Sequence, residues 1–234
     1  MGPEYPRRQE CRAGARLIRR RIVVDRCNSL PAARGVASNS GPESIDLIGR
    51  RCCRHSPSSN VADGPTVLVG HSFAGTIISE AGNDPKVSAL VYVAARAPDA
   101  GEDFGALAAK FPKPPASAGV IKQDGFFWLS EEAFLRDFAG DIEPSKARAL
   151  YAVQGRGADA LPNTKTTTAA WRVKPTWYQV STEDRTINPE LERFLAKRMN
   201  ARTIELGSSH VSLVSHPKEI ADLILLAAGH KKSQ

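Results

Sequence analysis

The stretch from Thr66 to Ala95 constrains this chain more than any other. Thr66-Val67-Leu68-Val69 is a short apolar run, Gly70-His71-Ser72-Phe73-Ala74-Gly75 is a turn rich in small residues, and Val87 to Ala95 (VSALVYVAA) is a second apolar run. Unbroken apolar runs of this length read as strands covered on both faces, as in a parallel sheet. Thr76 to Ala81 predicts a helix between them, stopped by Gly82-Asn83-Asp84-Pro85. Strand, turn, helix and strand in so short a span make a βαβ unit, with a right-handed crossover as the rule. The expected class is therefore α/β, a mostly parallel sheet flanked by helices.

The same pattern resumes at Pro175. Thr176 to Val180 predicts a strand ending at Ser181-Thr182-Glu183-Asp184. Pro189 to Met199 predicts a helix with Pro in its first turn and Lys197-Arg198 in its last. Ala201 to Leu206 is a further strand, followed by Gly207-Ser208-Ser209-His210, and Pro217 to Ala228 is a final helix. Residues 97–165 differ, with Pro and Gly breaks alternating with short amphipathic stretches. Ser130 caps one of these, and Phe134, Leu135 and Phe138 share a helical face. This insert predicts a small helical cap.

Composition divides the chain near residue 60. The net charge of +7 arises entirely in residues 1–60, which hold twelve Arg, no Lys and five acids. Residues 61–234 balance twenty basic groups against twenty acidic ones. A charge run of this kind reads as a solvated tail, and the neutral remainder gives nucleic-acid binding no support. All four cysteines (Cys11, Cys27, Cys52, Cys53) lie in the same sixty residues, at spacings that match neither a zinc site nor a disulfide framework. No apolar run approaches the roughly 18 residues a membrane span needs, and the Arg-rich start lacks a signal-peptide core. The expectation is a soluble, cytoplasmic protein with an aberrant segment 1–60 and a single folded core over 61–234.

Ser72 carries the chemistry. It lies where a strand turns sharply into a helix, with small residues (Gly70, Ala74) two positions to either side. Such an elbow holds a nucleophile above the carboxyl edge of the sheet, and the amide of the next residue, Phe73, becomes an oxyanion donor. The usual pattern is G-x-S-x-G; here Ala74 takes the last place and Gly75 follows. A serine needs a base, and the base needs a carboxylate to fix its tautomer. His210 and Asp184 follow Ser72 in the order serine, acid, histidine, each just past the end of a predicted strand. Glu183 is the rival acid. Asp184 is preferred as the shorter orienter lying further beyond the strand. His216 precedes Pro217 at a helix start and reads as structural, His71 is expected to point away from Ser72, and His55 and His230 lie in unpatterned segments.

The stretches VLVGHSFAG, LVYVAARAPDAGE, STEDRTINPELERFLAKRM and SSHVSLVSHP resemble small bacterial esterase-like members of the α/β-hydrolase superfamily, and with them the plant methyl-ester esterases and hydroxynitrile lyases. The resemblance covers roughly residues 61–230. It implies that fold, a cap over the site, the roles of Ser72, Asp184 and His210, a small-molecule ester as substrate, and no metal or organic cofactor. Lyases of that group place Lys directly after the histidine; Val211 stands there in this chain, which points to hydrolysis. The alternative is a non-catalytic member that uses the pocket only for binding.

The same resemblance implies first strands and an HG motif, giving the second oxyanion amide, within residues 1–60. Only Ile22-Val23-Val24 looks like a strand, and no His-Gly pair occurs there. A compensated shift of reading frame across residues 13–56 would account for this. Read one base later, with wobble bases chosen freely, those codons permit a text that contains a His-Gly pair. Losing the first strands would leave an unpaired sheet edge and invite homodimer formation.

Overall fold

The computed structural model describes residues 64–163 and 165–229, together with the backbone of a strand at 21–25. Among the described residues five parallel strands form the main sheet: β1 (Arg21–Asp25), β2 (Thr66–His71), β3 (Val87–Val93), β7 (Thr176–Ser181) and β8 (Arg202–Leu206), in spatial order β1-β2-β3-β7-β8. Helix α1 (Ala74–Ala81) joins β2 to β3, α5 (Pro189–Arg198) joins β7 to β8, and α7 (Pro217–Ala227) closes the chain after the short α6 (Ser212–Ser215).

The alternation of side chains along each strand sorts them between two cores. Val67, Val69, Ala89, Val91, Val93 and Trp177 meet Ile220, Leu223, Ile224 and Ala227 of α7 on one face. On the other, Leu90, Tyr92, Tyr178 and Val180 meet Ile78 of α1, Leu191, Leu195 and Ala196 of α5, and Met199 just beyond it. Both faces are covered, which is why the strands read as unbroken apolar runs rather than alternating ones.

Ile22-Val23-Val24 does form part of a strand. β1 lies parallel to β2 with Ile22 opposite Val67 and Val24 opposite Val69, so the Arg-rich segment supplies a strand to the sheet. The rest of that segment, including the four cysteines, His55, the missing HG motif and most of the span assigned to a shifted frame, lies outside the described residues.

The excursion between β3 and β7 is more than helical, which corrects the sequence reading. It holds α2 (Phe104–Ala108), α3 (Glu131–Ala133) continued by a wider turn through Phe138, and α4 (Pro144–Ala152). Ser130 caps α3 as expected, its side chain accepting from Ala133 N at 3.3 Å. The excursion also holds an antiparallel sheet of three strands, β4 (Val120–Gln123), β5 (Phe126–Leu129) and β6 (Gly157–Ala158). Asp124 and Gly125 make the β4–β5 turn with φ of 52° and 78°. Left-handed φ at both central residues is what a two-residue type I′ hairpin requires, and Asp-Gly is a favoured pair there. The aromatic run Phe126-Phe127-Trp128 then suits a strand better than a helix. Among the described residues no helix is long and apolar enough to cross a membrane.

Candidate active site

Ser72 opens the turn between β2 and α1 with φ of 55°, a conformation rare for a residue with a side chain. The neighbouring glycines make this turn possible. A Cβ on Gly70 would lie 2.8 Å from the backbone of Ala74, and one on Gly75 would lie 2.0 Å from the carbonyl oxygen of Arg96. Ala74 fits with 1% of its surface exposed. The demand for glycine therefore falls one residue later than in the usual pattern, where the helix start passes the chain leaving β3. Phe73 N–H makes no hydrogen bond among the described residues.

The three residues selected from sequence meet. Ser72 Oγ lies 2.8 Å from His210 Nε2, and His210 Nδ1 lies 2.5 Å from Asp184 Oδ2. His210 follows β8 and is fully buried; Asp184 follows β7 and is 5% exposed. The other carboxylate oxygen of Asp184 accepts from Thr186 N at 2.6 Å and Ile187 N at 2.9 Å. Burial is the largest influence on this carboxyl and opposes ionisation. His210 and the hydrogen bonds together outweigh it and hold the group below the usual carboxylate range. Nδ1–H therefore donates to Asp184, which leaves Nε2 to accept the Ser72 proton. Glu183, the rival acid, is exposed and lies off this chain of hydrogen bonds. His216 hydrogen-bonds Ser215 Oγ at 2.9 Å instead, and His230 lies outside the described residues.

Three features were not legible as site features. The ring of His71 packs 4.8 Å from that of His210, and its Nε2–H donates to the carbonyl of His210 at 2.8 Å. Burial, then the neighbouring His210, push His71 down to about 3, so it is neutral. Phe138, from the cap, packs against the His210 ring, tilted to it, with the ring centroids 4.9 Å apart. The third is Glu192 on α5, which is fully buried. One of its oxygens accepts from Ser181 N at 3.0 Å, and the other meets no donor. Burial, then the charge of Asp184, push it well above the usual carboxylate range, which favours the protonated form. A signal for it was present: Glu192, Leu195, Ala196 and Met199 repeat at helical spacing on the buried stripe of α5.

A cleft of about 490 Å³ opens beside Asp184, lined by Arg136, Gly140, Asp141, Thr182, Glu183, Arg185 and Ser209. Neither Ser72 nor His210 lines it, so it is not where a group attacked by Ser72 would lie.

Comparison with known proteins bears on the family and the fold. The profile of the Alpha/beta hydrolase family matches residues 15–223, starting well inside the Arg-rich segment. The alpha/beta hydrolase nvfD of Aspergillus novofumigatus is 26% identical over 201 residues, covering 80% of this chain and 78% of that protein. Among solved structures, the pyrethroid hydrolase PytH superposes with a TM-score of 0.63 at 20% identity, over 78% of this chain and 77% of its own. Polyneuridine aldehyde esterase superposes with a TM-score of 0.59 at 17% identity, over 78% and 77%. With the family profile spanning most of its length, this chain belongs to the alpha/beta hydrolase family.

Proposed function

We propose that this protein is a serine hydrolase that cleaves a small carboxylic ester through an acyl-enzyme. The observation that carries this reading is the unbroken relay from Ser72 Oγ through the His210 ring to Asp184. Ser72 Oγ attacks the ester carbonyl while His210 Nε2 takes its proton, and Asp184 stabilises the imidazolium that results. The oxyanion receives a hydrogen bond from Phe73 N–H. His210 then returns the proton to the departing alcohol, which leaves the acyl group on Ser72. Water, deprotonated by His210, releases the acid and restores the serine. These steps need neither metal nor organic cofactor. The names of two structural relatives, an esterase and a pyrethroid hydrolase, support the choice of substrate class.

The test is intact-mass analysis after treatment with a fluorophosphonate. A single adduct is expected on the parent, absent from Ser72→Ala and slowed in His210→Ala. No adduct on a folded parent would reject turnover and favour the reading of a binding protein without catalysis.

A further inference from the structure

Three arginines among the described residues are half-buried: Arg96, Arg193 and Arg198. Arg193 is neutralised by Glu190 and Glu205, and Arg198 by Glu102. Arg96 has no carboxylate partner among the described residues. Its guanidinium instead lies 5.5 Å from the ring centroid of Phe73 and 4.9 Å from that of Phe104. The desolvation that accompanies this position pushes its pKa down to about 10, with no acidic group among the described residues compensating, and it remains a cation at neutral pH. A cation held away from water without a counter-charge is unfavourable, and aromatic faces return only part of the loss.

The position of Arg96 says where the missing anion belongs. The residue lies just past the carboxyl end of β3, next to the elbow, and its backbone N–H donates to Ser72 O at 3.0 Å. The ring beneath its guanidinium belongs to Phe73, whose amide faces the oxyanion in the reaction proposed above. A molecule whose carbonyl sits at Ser72 thus has Arg96 on the neighbouring turn, with a guanidinium able to donate two parallel hydrogen bonds to a carboxylate.

We propose that Arg96 binds a carboxylate carried by the ester, so that the preferred substrates are half-esters or other anionic esters rather than neutral ones. This rests on Ser72 marking the ester-binding site.

Monomethyl glutarate and dimethyl glutarate differ in one charge and suit the test. Their binding to Ser72→Ala would be measured by calorimetry, which needs no turnover and is independent of the fluorophosphonate result. The half-ester is expected to bind about 10- to 100-fold more tightly, the range of a charge-assisted contact. Adding Arg96→Met should bring the ratio to about one, while Arg96→Lys should keep part of it. Near-UV circular dichroism identifies variants that fold, and the Lys variant supplies the comparison if the Met variant does not. Equal affinities in Ser72→Ala, no binding of either ester, or a ratio that survives Arg96→Met would each overturn the proposal. An acid from elsewhere in the chain covering Arg96 would give the first of these outcomes.

Discussion

The backbone N–H of Ser209 donates to Asp141 Oδ2 at 3.0 Å, so the residue immediately before His210 is held by the cap. Ser209 Oγ also bonds Asp141 Oδ1 and, at 3.1 Å, the carbonyl of Phe138. The acid loop is held the same way: Arg185 Nε lies 2.6 Å from Asp137 Oδ1, and Ala116 N donates to Arg185 O at 2.9 Å. The cap thus grips the loops carrying Asp184 and His210. Replacing Asp141 with Ala is expected to slow fluorophosphonate labelling about tenfold and to lower stability by about 1–2 kcal/mol. Chemical denaturation run beside the labelling assay separates the two effects, and an unchanged labelling rate would show the grip to be unimportant for the relay.

Asp184→Asn keeps an oxygen for Thr186 and Ile187 but puts an amide where His210 Nδ1–H must find an acceptor. The imidazole should then take the wrong tautomer. A fall in kcat of about 10⁴-fold is expected, with the fold intact, and Ser72→Ala should fall at least as far. Steady-state hydrolysis of a chromogenic ester would show this; a loss under tenfold would mean that Asp184 does not orient the base.

Glu192 gives a pH dependence whose sign follows from its raised pKa. In the unfolded chain it ionises above 4.5, whereas in the folded protein it keeps its proton to much higher pH. Its contribution to stability is fully present below 4.5 and is lost as pH rises, at about 1.4 kcal/mol per unit until the folded group ionises. Glu192→Gln keeps a polar group of nearly the same shape and cannot ionise. It should match the parent near pH 4, exceed it in stability at pH 7, and remove the decline between them. Urea denaturation across that range measures this, and parallel curves would exclude a protonated Glu192.

His71 acts in the opposite direction. Its folded value of about 3 against 6.5 means that stability is full above pH 6.5 and falls as the pH drops below it. His71→Gln should flatten the acid side of the stability profile, and an unchanged acid limb would show that His71 is not held neutral.

Gly75→Ala would place a methyl group 2.0 Å from a backbone carbonyl, which cannot move aside as a flexible side chain could. A loss of roughly 3 kcal/mol or more is expected, at the upper end of overpacking costs. Thermal unfolding within two degrees of the parent would show that β3 and α1 part easily.

What the sequence disclosed, and what it withheld, follows from how each signal is encoded. β2, α1, β3, β7, α5, β8 and α7 were legible because their periodicity and end signals are local. The order of Ser72, Asp184 and His210, placed after strand ends, was enough to bring them together before any geometry was known. The hairpin at Asp124-Gly125 carried its own local signal, yet the cap at Ser130 and the helical spacing of Phe134, Leu135 and Phe138 favoured a helical reading of the insert. Glu192 and Arg96 were harder for another reason. A charged residue within a helix or at a strand end normally faces water. Only the neighbours that the fold brings up, Asp184 for one and two aromatic rings for the other, reveal that each is buried with a partner or without one.

The backbone of Ser72 has a consequence for any attempt to improve this protein. A left-handed φ at a residue with a Cβ costs about 1–3 kcal/mol, and a glycine at that position would be free of it. On this count alone, a sequence that has lost its nucleophile is relieved of strain that the serine imposes. A laboratory selection rewarding robustness alone would drift toward that sequence, and only a screen that also demands turnover would keep the serine in place.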